Sequence, residues 1–179
     1  MVNKVVNVSF QDPNHMTGGQ GVSTLNRSRT LLDRGYEVDW VSLRIKGEQG
    51  EEQYTHLGKP FQVSRLSVSD SDTIVTPYEG DENQQYQRRV EFFKLAKEHI
   101  KSQYDPGEVY VHLHGFYIVP MLAGALPEYN TVSVYNLLLT PRMDLTGEHT
   151  DPMYDTIKAA EVLSIHANRK IQAITPGMK

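Results

Sequence analysis

Four short segments of the chain combine residue types that can bind or transform a ligand. The first is Met16-Thr17-Gly18-Gly19-Gln20-Gly21. Glycines let a backbone turn tightly and approach a ligand closely, and a helix beginning just after them offers free N–H groups at the positive end of its dipole. Gly18, Gly19 and Gly21 therefore read as a candidate anion site suited to phosphate, although a glycine turn that simply leads into a helix looks the same. The segment is not the dinucleotide fingerprint G-x-G-x-x-G, which follows its strand almost directly, because residues 11–17 intervene. Asp39 stands at about the right distance for a ribose-binding acid, but inside a strand rather than at its end. No Gly-Lys-Ser/Thr follows the glycines, so this is not a P-loop.

The second segment is His112-Leu113-His114-Gly115. In a strand its two imidazoles share one face, which raises the question of a metal. Two histidines leave a zinc site short of ligands, and the other histidines near the same rim, His15 and His149, sit in loops. No metal is expected; one imidazole packed and hydrogen-bonded, with the other turned to a cleft, is the preferred reading. The third segment, Tyr135-Asn136, and the fourth, Thr175 in Ile174-Thr175-Pro176, place polar groups just past short apolar runs, where they either line a cleft or cap a loop. Glu161 lies one position off the apolar stripe Ile157, Ala160, Leu163 and Ala167, and the sequence does not decide its role. There is no Gly-x-Ser-x-Gly elbow, no cysteine nucleophile and no Ser-His-Asp pattern.

An alternation of strands and helices must position these segments. Val5 to Phe10 reads as a buried strand, followed by a loop over Gln11 to Gly19 and a helix from Gln20 that Gly35 stops. Tyr36 to Leu43 is the next strand, which completes a βαβ unit and implies a parallel sheet with a right-handed crossover. Residues 45–60 look like a hairpin or an excursion at the sheet edge, Phe61 to Val68 like a strand, and Ser69 to Asn83 like a surface loop or a lid. An amphipathic helix over Asn83 to Tyr104 ends at Asp105-Pro106-Gly107. Strands at Val109–Leu113, Thr131–Tyr135 and Lys170–Ile174 then alternate with helices at Phe116–Leu126 and Asp151–Asn168. The expected fold is one α/β domain over residues 1–179, a Rossmann-like three-layer α/β/α arrangement with a mostly parallel sheet covered on both faces. In such sheets ligands bind at the carboxyl ends of the strands, where all four segments fall.

Bulk properties narrow the function. With 39% hydrophobic and 22% charged residues, the 179-residue chain has the composition of a globular domain, and the length for one core. Its net charge is −4 and its lysines and arginines are scattered, which argues against nucleic acid as a partner. It has no cysteine, so disulfides and cysteine-ligated metals are excluded. No stretch approaches the ~20 apolar residues of a transmembrane helix, and the apolar run at the N-terminus is short for a signal peptide. The cytoplasm is the expected location.

In order along the chain, these segments resemble the N-terminal domain of GT-B retaining glycosyltransferases of families 4 and 5. Met16 to Gly21 followed by Leu31-Leu32-Asp33-Arg34-Gly35-Tyr36-Glu37-Val38 resembles that family's "GG-x-G" loop and "L-x-x-x-G-H-x-V". Val111 to Gly115 resembles "D-x-x-H-x-H", and Thr131 to Asn136 resembles "T-x-H-N". Glu161 to Lys179 resembles the segment "E-x-x-x-x-x-x-A-D-x-x-x-x-x-S-x-x-M". The resemblance implies sugar transfer from a nucleotide-sugar donor to an acceptor, with retention and without a metal or other cofactor. It puts the donor diphosphate at Gly18, Gly19 and Gly21, and a donor and acceptor cleft at His112, His114, Tyr135, Asn136 and Thr175. Tyr135 replaces the family's histidine, with a different size and pKa. The resemblance also implies a donor-binding C-terminal domain with an "E-x(7)-E" motif, in cis or in trans, without which no turnover is expected. The alternatives are a non-catalytic carbohydrate- or partner-binding domain of the same fold, and a nicotinamide-dependent Rossmann protein, against which the loop spacing argues.

Overall fold

The computed structural model describes residues 2–15, 19–115, 122, 124–134, 155, 158–159, 162 and 170–172. Strand β1 (Lys4–Val8) leads through a loop to helix α1 (Gly19–Asp33) and strand β2 (Glu37–Leu43). Strands β3 (Glu51–His56) and β4 (Lys59–Leu66) form a hairpin, followed by helix α2 (Glu82–Gln103) and strands β5 (Val109–His114), β6 (Asn130–Val134) and β7 (Lys170–Gln172). They form one seven-stranded sheet in the order β3-β4-β2-β1-β5-β6-β7. Only the β3–β4 pairing is antiparallel among these strands. The parallel strands therefore open their carboxyl ends on one rim.

Val5, Val6 and Val8 are all buried, as expected of a strand covered on both faces. Along β2, alternate residues feed two separate cores. Val41 and Leu43 join Val6, Val8, Val111, Leu113 and the α2 residues Phe92, Phe93, Ala96 and Ile100. Val38 and Trp40 join Phe61, Val63 and Leu32 of α1 on the opposite face. This two-residue period sets the three layers. Helix α1 stops because Gly35 takes φ +87°, which lets Tyr36 N–H reach the Leu31 carbonyl at 3.0 Å and turns the chain into β2.

The sequence left residues 45–60 open between a hairpin and an edge excursion; they supply the edge strand β3. Leu57 and Gly58 both have positive φ (48° and 77°), the turn a two-residue hairpin demands. The strand expected at Phe61–Val68 lies two residues earlier. Val68 is buried at 6% exposure, but as a loop residue of the core, so its apolar character extended the apparent strand. Helix α2 begins at an Asp81 capping box, in which Asp81 Oδ1 accepts from Gln84 N–H and Gln84 Oε1 accepts from Asp81 N–H, both at 2.9 Å. The described positions 122, 124–125, 155, 158–159 and 162 are helical, within the two helices expected there.

Candidate functional site

The loop that leaves β1 at the carboxyl rim is held by Phe10, which packs against Phe92 and Phe93, and by a set of buried polar contacts. Gln11, 4% exposed, is its hub. Its backbone N–H donates to Ser9 Oγ at 3.1 Å, and its carbonyl accepts from Trp40 Nε1 at 3.2 Å. Its side-chain Oε1 accepts from the Gly21 amide at 2.9 Å, and its Nε2 donates to the Tyr78 hydroxyl at 3.1 Å. The loop thus folds back so that a neutral carboxamide oxygen meets one of the first amides of α1, groups with no partner inside the helix.

One residue further, Asp12 anchors the loop to the hairpin. Arg65, whose side chain is fully buried, donates to Asp12 through Nε at 2.6 Å and Nη2 at 3.2 Å. Its Nη2 also reaches Tyr54 OH at 2.8 Å and Glu52 at 2.9 Å, and Nη1 reaches the Gln49 carbonyl at 3.1 Å. Burial works against the guanidinium charge, but hydrogen bonds and charge from Asp12, with help from Glu52, outweigh it and hold its pKa above the ordinary value. His15 Nδ1 stands 2.7 Å from Glu48 beside this group. Asp12, His15 and Glu48 bring one ligand atom each within 4.8 Å of one another. Arg65 already supplies positive charge there, 2.6 Å from Asp12 and 3.6 Å from Glu48, so the cluster is an ion-pair clasp.

The segment after β4 also lies at this rim. Arg88 of α2 fastens it, donating to Asp70 through Nε and Nη2 and to the Pro77 and Glu79 carbonyls through Nη1 at 2.9 and 2.8 Å. Glu91 accepts from Ser69 N–H and Oγ, and Ile74 is buried. The residues expected to form a surface loop or lid are therefore clamped, and present Tyr78, 39% exposed, toward Gln11.

Beneath the rim, α1 meets the sheet through a second polar network. Asn7 Nδ2 donates to Ser28 Oγ at 3.0 Å, which leaves Asn7 Oδ1 facing His114 Nε2 at 2.9 Å. Nε2 must then carry the proton, and Nδ1 accepts from the Thr24 hydroxyl at 3.0 Å. Ser28 Oγ in turn donates to the Thr24 carbonyl at 2.9 Å. His114 is completely buried, and burial first, then His112 and the Arg27 charge, drive its pKa well below the usual imidazole range. It is a neutral imidazole whose two nitrogens are both engaged. His112, on the same face, has a buried Nδ1 with no hydrogen-bond partner among the described residues. Burial, and secondarily Arg27, lower its pKa to about 4.

The structure therefore brings together Gly19, Gly21 and His114: Gly19 opens α1, Gly21 binds Gln11, and Thr24, three residues on, reaches His114. His112 lies on the same face but below the rim, paired in register with Asn7. Gly18, Tyr135, Asn136, Thr175, Glu161 and His149 lie outside the described residues. Asp39 is committed elsewhere, within hydrogen-bond reach of Lys4 Nζ and of Tyr104 OH, both at 2.8 Å, three residues into β2 and away from the rim. Sequence reasoning missed Gln11, Asp12, Arg65, Arg88 and Tyr78. One signal was readable: Arg88, Phe92, Ala96 and Ile100 recur every four residues, so an arginine occupies the buried stripe of α2.

No protein-family profile and no curated protein sequence matches the chain. Solved structures do. The sucrose-phosphate synthase of Thermosynechococcus elongatus superposes with a TM-score of 0.72 at 14% identity, over 97% of this chain and 43% of that one. The catalytic domain of starch synthase IV from Arabidopsis thaliana, bound to ADP and acarbose, gives 0.56 at 12% identity over 77% of this chain and 34% of that one. A UDP-forming α,α-trehalose-phosphate synthase from Burkholderia vietnamiensis gives 0.53 at 14% identity over 99% and 41%. The chain spans less than half the length of each. No helix among the described residues is long and apolar enough to cross a membrane. The sheet order, the rim and these superpositions together give the chain the fold of the N-terminal, Rossmann-like domain of GT-B glycosyltransferases.

Proposed function

We propose that the chain is the acceptor-side half of a retaining glycosyltransferase that moves a sugar from a nucleotide-sugar donor to an acceptor, and that it turns over only with a donor-binding C-terminal domain. The observation that carries this reading is the placement of α1. Its glycine-opened N-terminus lies at the carboxyl rim of a parallel sheet, next to His114, in a fold shared with enzymes that make sugar phosphates and starch. Two structures of that fold support the choice of donor, one bound to ADP and one described as UDP-forming. Backbone amides at a helix N-terminus are suited to stabilising charge that develops on a departing diphosphate. The reaction so conceived uses no metal or cofactor. Gly18 and Gly19 supply those amides, with Gly21 once Gln11 gives way; His112, Tyr135, Asn136 and Thr175 line the cleft, and His114, fully buried with both nitrogens engaged, braces α1 behind it rather than meeting a ligand.

A second reading, a non-catalytic carbohydrate- or partner-binding domain, is favoured by one contact: the Gly21 amide is already satisfied within the chain. Both readings are tested by joining the chain to its C-terminal domain and measuring transfer and donor affinity. Gly19→Trp places an indole where the diphosphate would lie, and should abolish transfer and weaken UDP-glucose or ADP-glucose binding at least tenfold. Unchanged donor affinity in that variant counts against the phosphate role. Glycan binding with no affinity for either nucleotide sugar shifts the assignment to the second reading.

A further inference from the structure

Gln11 stands between two parts of the rim that the proposed reaction would use separately. Its Oε1 is the acceptor for the Gly21 amide, and its Nε2 is the donor to Tyr78. Tyr78 belongs to the segment that Arg88 clamps through the carbonyls on either side of it, Pro77 and Glu79. An unbroken path of direct contacts thus runs from α2 through Tyr78 and Gln11 to the first turn of α1. A carboxamide of this kind has no freedom to serve one partner alone. Its oxygen faces an N–H and its nitrogen faces a hydroxyl, so movement at either end disturbs the other.

We propose that Gln11 is a coupling residue that occupies the Gly21 amide in place of a diphosphate oxygen and ties the occupancy of the glycine loop to the position of the Tyr78 segment. The inference rests on the reading of the glycine loop as a diphosphate site. One amide hydrogen serves one strong acceptor, so a phosphate oxygen and Gln11 Oε1 compete for it. The phosphate bond is charge-assisted and stronger than the amide–carboxamide bond it replaces. Once displaced, Gln11 carries its Nε2 away from Tyr78. The Arg88 clamp remains, so the segment loses its tether to the loop without unfolding. By linkage, whatever draws Tyr78 away must favour the anion to the same degree that the anion favours release of Tyr78. A donor at the loop would then loosen the Tyr78 segment, so that whatever this segment contacts responds to donor occupancy.

The test uses inorganic pyrophosphate as the probe on the full chain at fixed ionic strength. The protein is labelled with 3-fluorotyrosine, and the Tyr78 signal is assigned through Tyr78→Phe. Gln11→Met keeps the side-chain length and removes both hydrogen bonds; Gln11→Ala is a second variant should the first disturb folding. In the wild type, pyrophosphate should shift the Tyr78 fluorine signal; in either variant that response should vanish. Without a competitor for Gly21, the variants should also bind pyrophosphate about fivefold more tightly, about 1 kcal/mol, the scale of one ordinary hydrogen bond. Pyrophosphate binding that leaves Tyr78 unmoved in the wild type, or variants that bind no more tightly, overturns the coupling and leaves the loop reading standing. Absence of binding to wild type and variants alike overturns both.

Discussion

Acidification should unfold this protein through its buried imidazoles, and the size of the effect can be worked from His112. Its folded pKa is lowered to about 4 by burial and by Arg27, against 6.5 for an ordinary imidazole. Below pH 6.5 the unfolded chain takes up a proton that the folded chain refuses. Stability contributed by the neutral imidazole is therefore complete above 6.5 and falls as the pH drops toward 4, at up to ~1.4 kcal/mol per pH unit. At pH 4.5 the accumulated loss is about 2.5 kcal/mol for His112 alone, a large share of an ordinary domain's stability. His114 titrates in the same direction, because burial lowers its folded pKa too. Denaturant unfolding of wild type and His112→Gln between pH 7.5 and 4.5 isolates the term, with the buried Trp40, the only tryptophan, as the fluorescence probe. The wild type should lose about 2–3 kcal/mol more than the variant over that range. A stability difference between the two that stays flat with pH would refute the argument, since it would mean that His112 titrates alike in the folded and unfolded chains.

Four other substitutions probe the clasps around the rim and the cap of α2. Arg65→Met leaves Asp12 buried at 3% side-chain exposure without its guanidinium, which should cost about 3–5 kcal/mol in denaturant unfolding; adding Asp12→Asn should restore part of that loss, so additive losses would contradict a coupled pair. Arg88→Ala removes the donors to Asp70, Pro77 and Glu79, so amide exchange and proteolysis should accelerate across residues 69–80 well before they do in β1, with a cost of at least about 2 kcal/mol. Gly80→Ala meets two obstacles, a backbone φ of +92° and a Cβ only 2.5 Å from Gln84 Oε1 in the capping box, and should lower stability by about 1–2 kcal/mol by loss of the cap.

The parts of the fold that were legible in the sequence are those that repeat. The valines of β1, the strand β2 and the glycine stop of α1 follow from apolar runs, from the helical period and from one left-handed residue. The sharing of one face by His112 and His114 was legible from the two-residue period of a strand. What each imidazole does was not, because Asn7 and Thr24 reach His114 from another strand and a helix, 107 and 90 residues away. Arg65 follows the same rule: an arginine inside a strand pattern suggests solvent, and only the turn at Asp12, 53 residues earlier, makes it a buried counter-ion.

The glycine loop shows the consequence for function. Read alone, it offers three glycines to an anion. In the folded chain the Gly21 amide already has an acceptor, and that acceptor is uncharged. A carboxylate in the same place would repel a phosphate; a carboxamide competes without repelling, and leaves the helix dipole unneutralised. An anion arriving at α1 must therefore either rely on the amides ahead of Gly21 or displace Gln11. In the first case Gln11 is a fixed brace and its removal weakens the site. In the second it is a tenant, and its removal strengthens the site. The sign of one affinity change, not its size, distinguishes a static scaffold from a rim whose two sides answer each other.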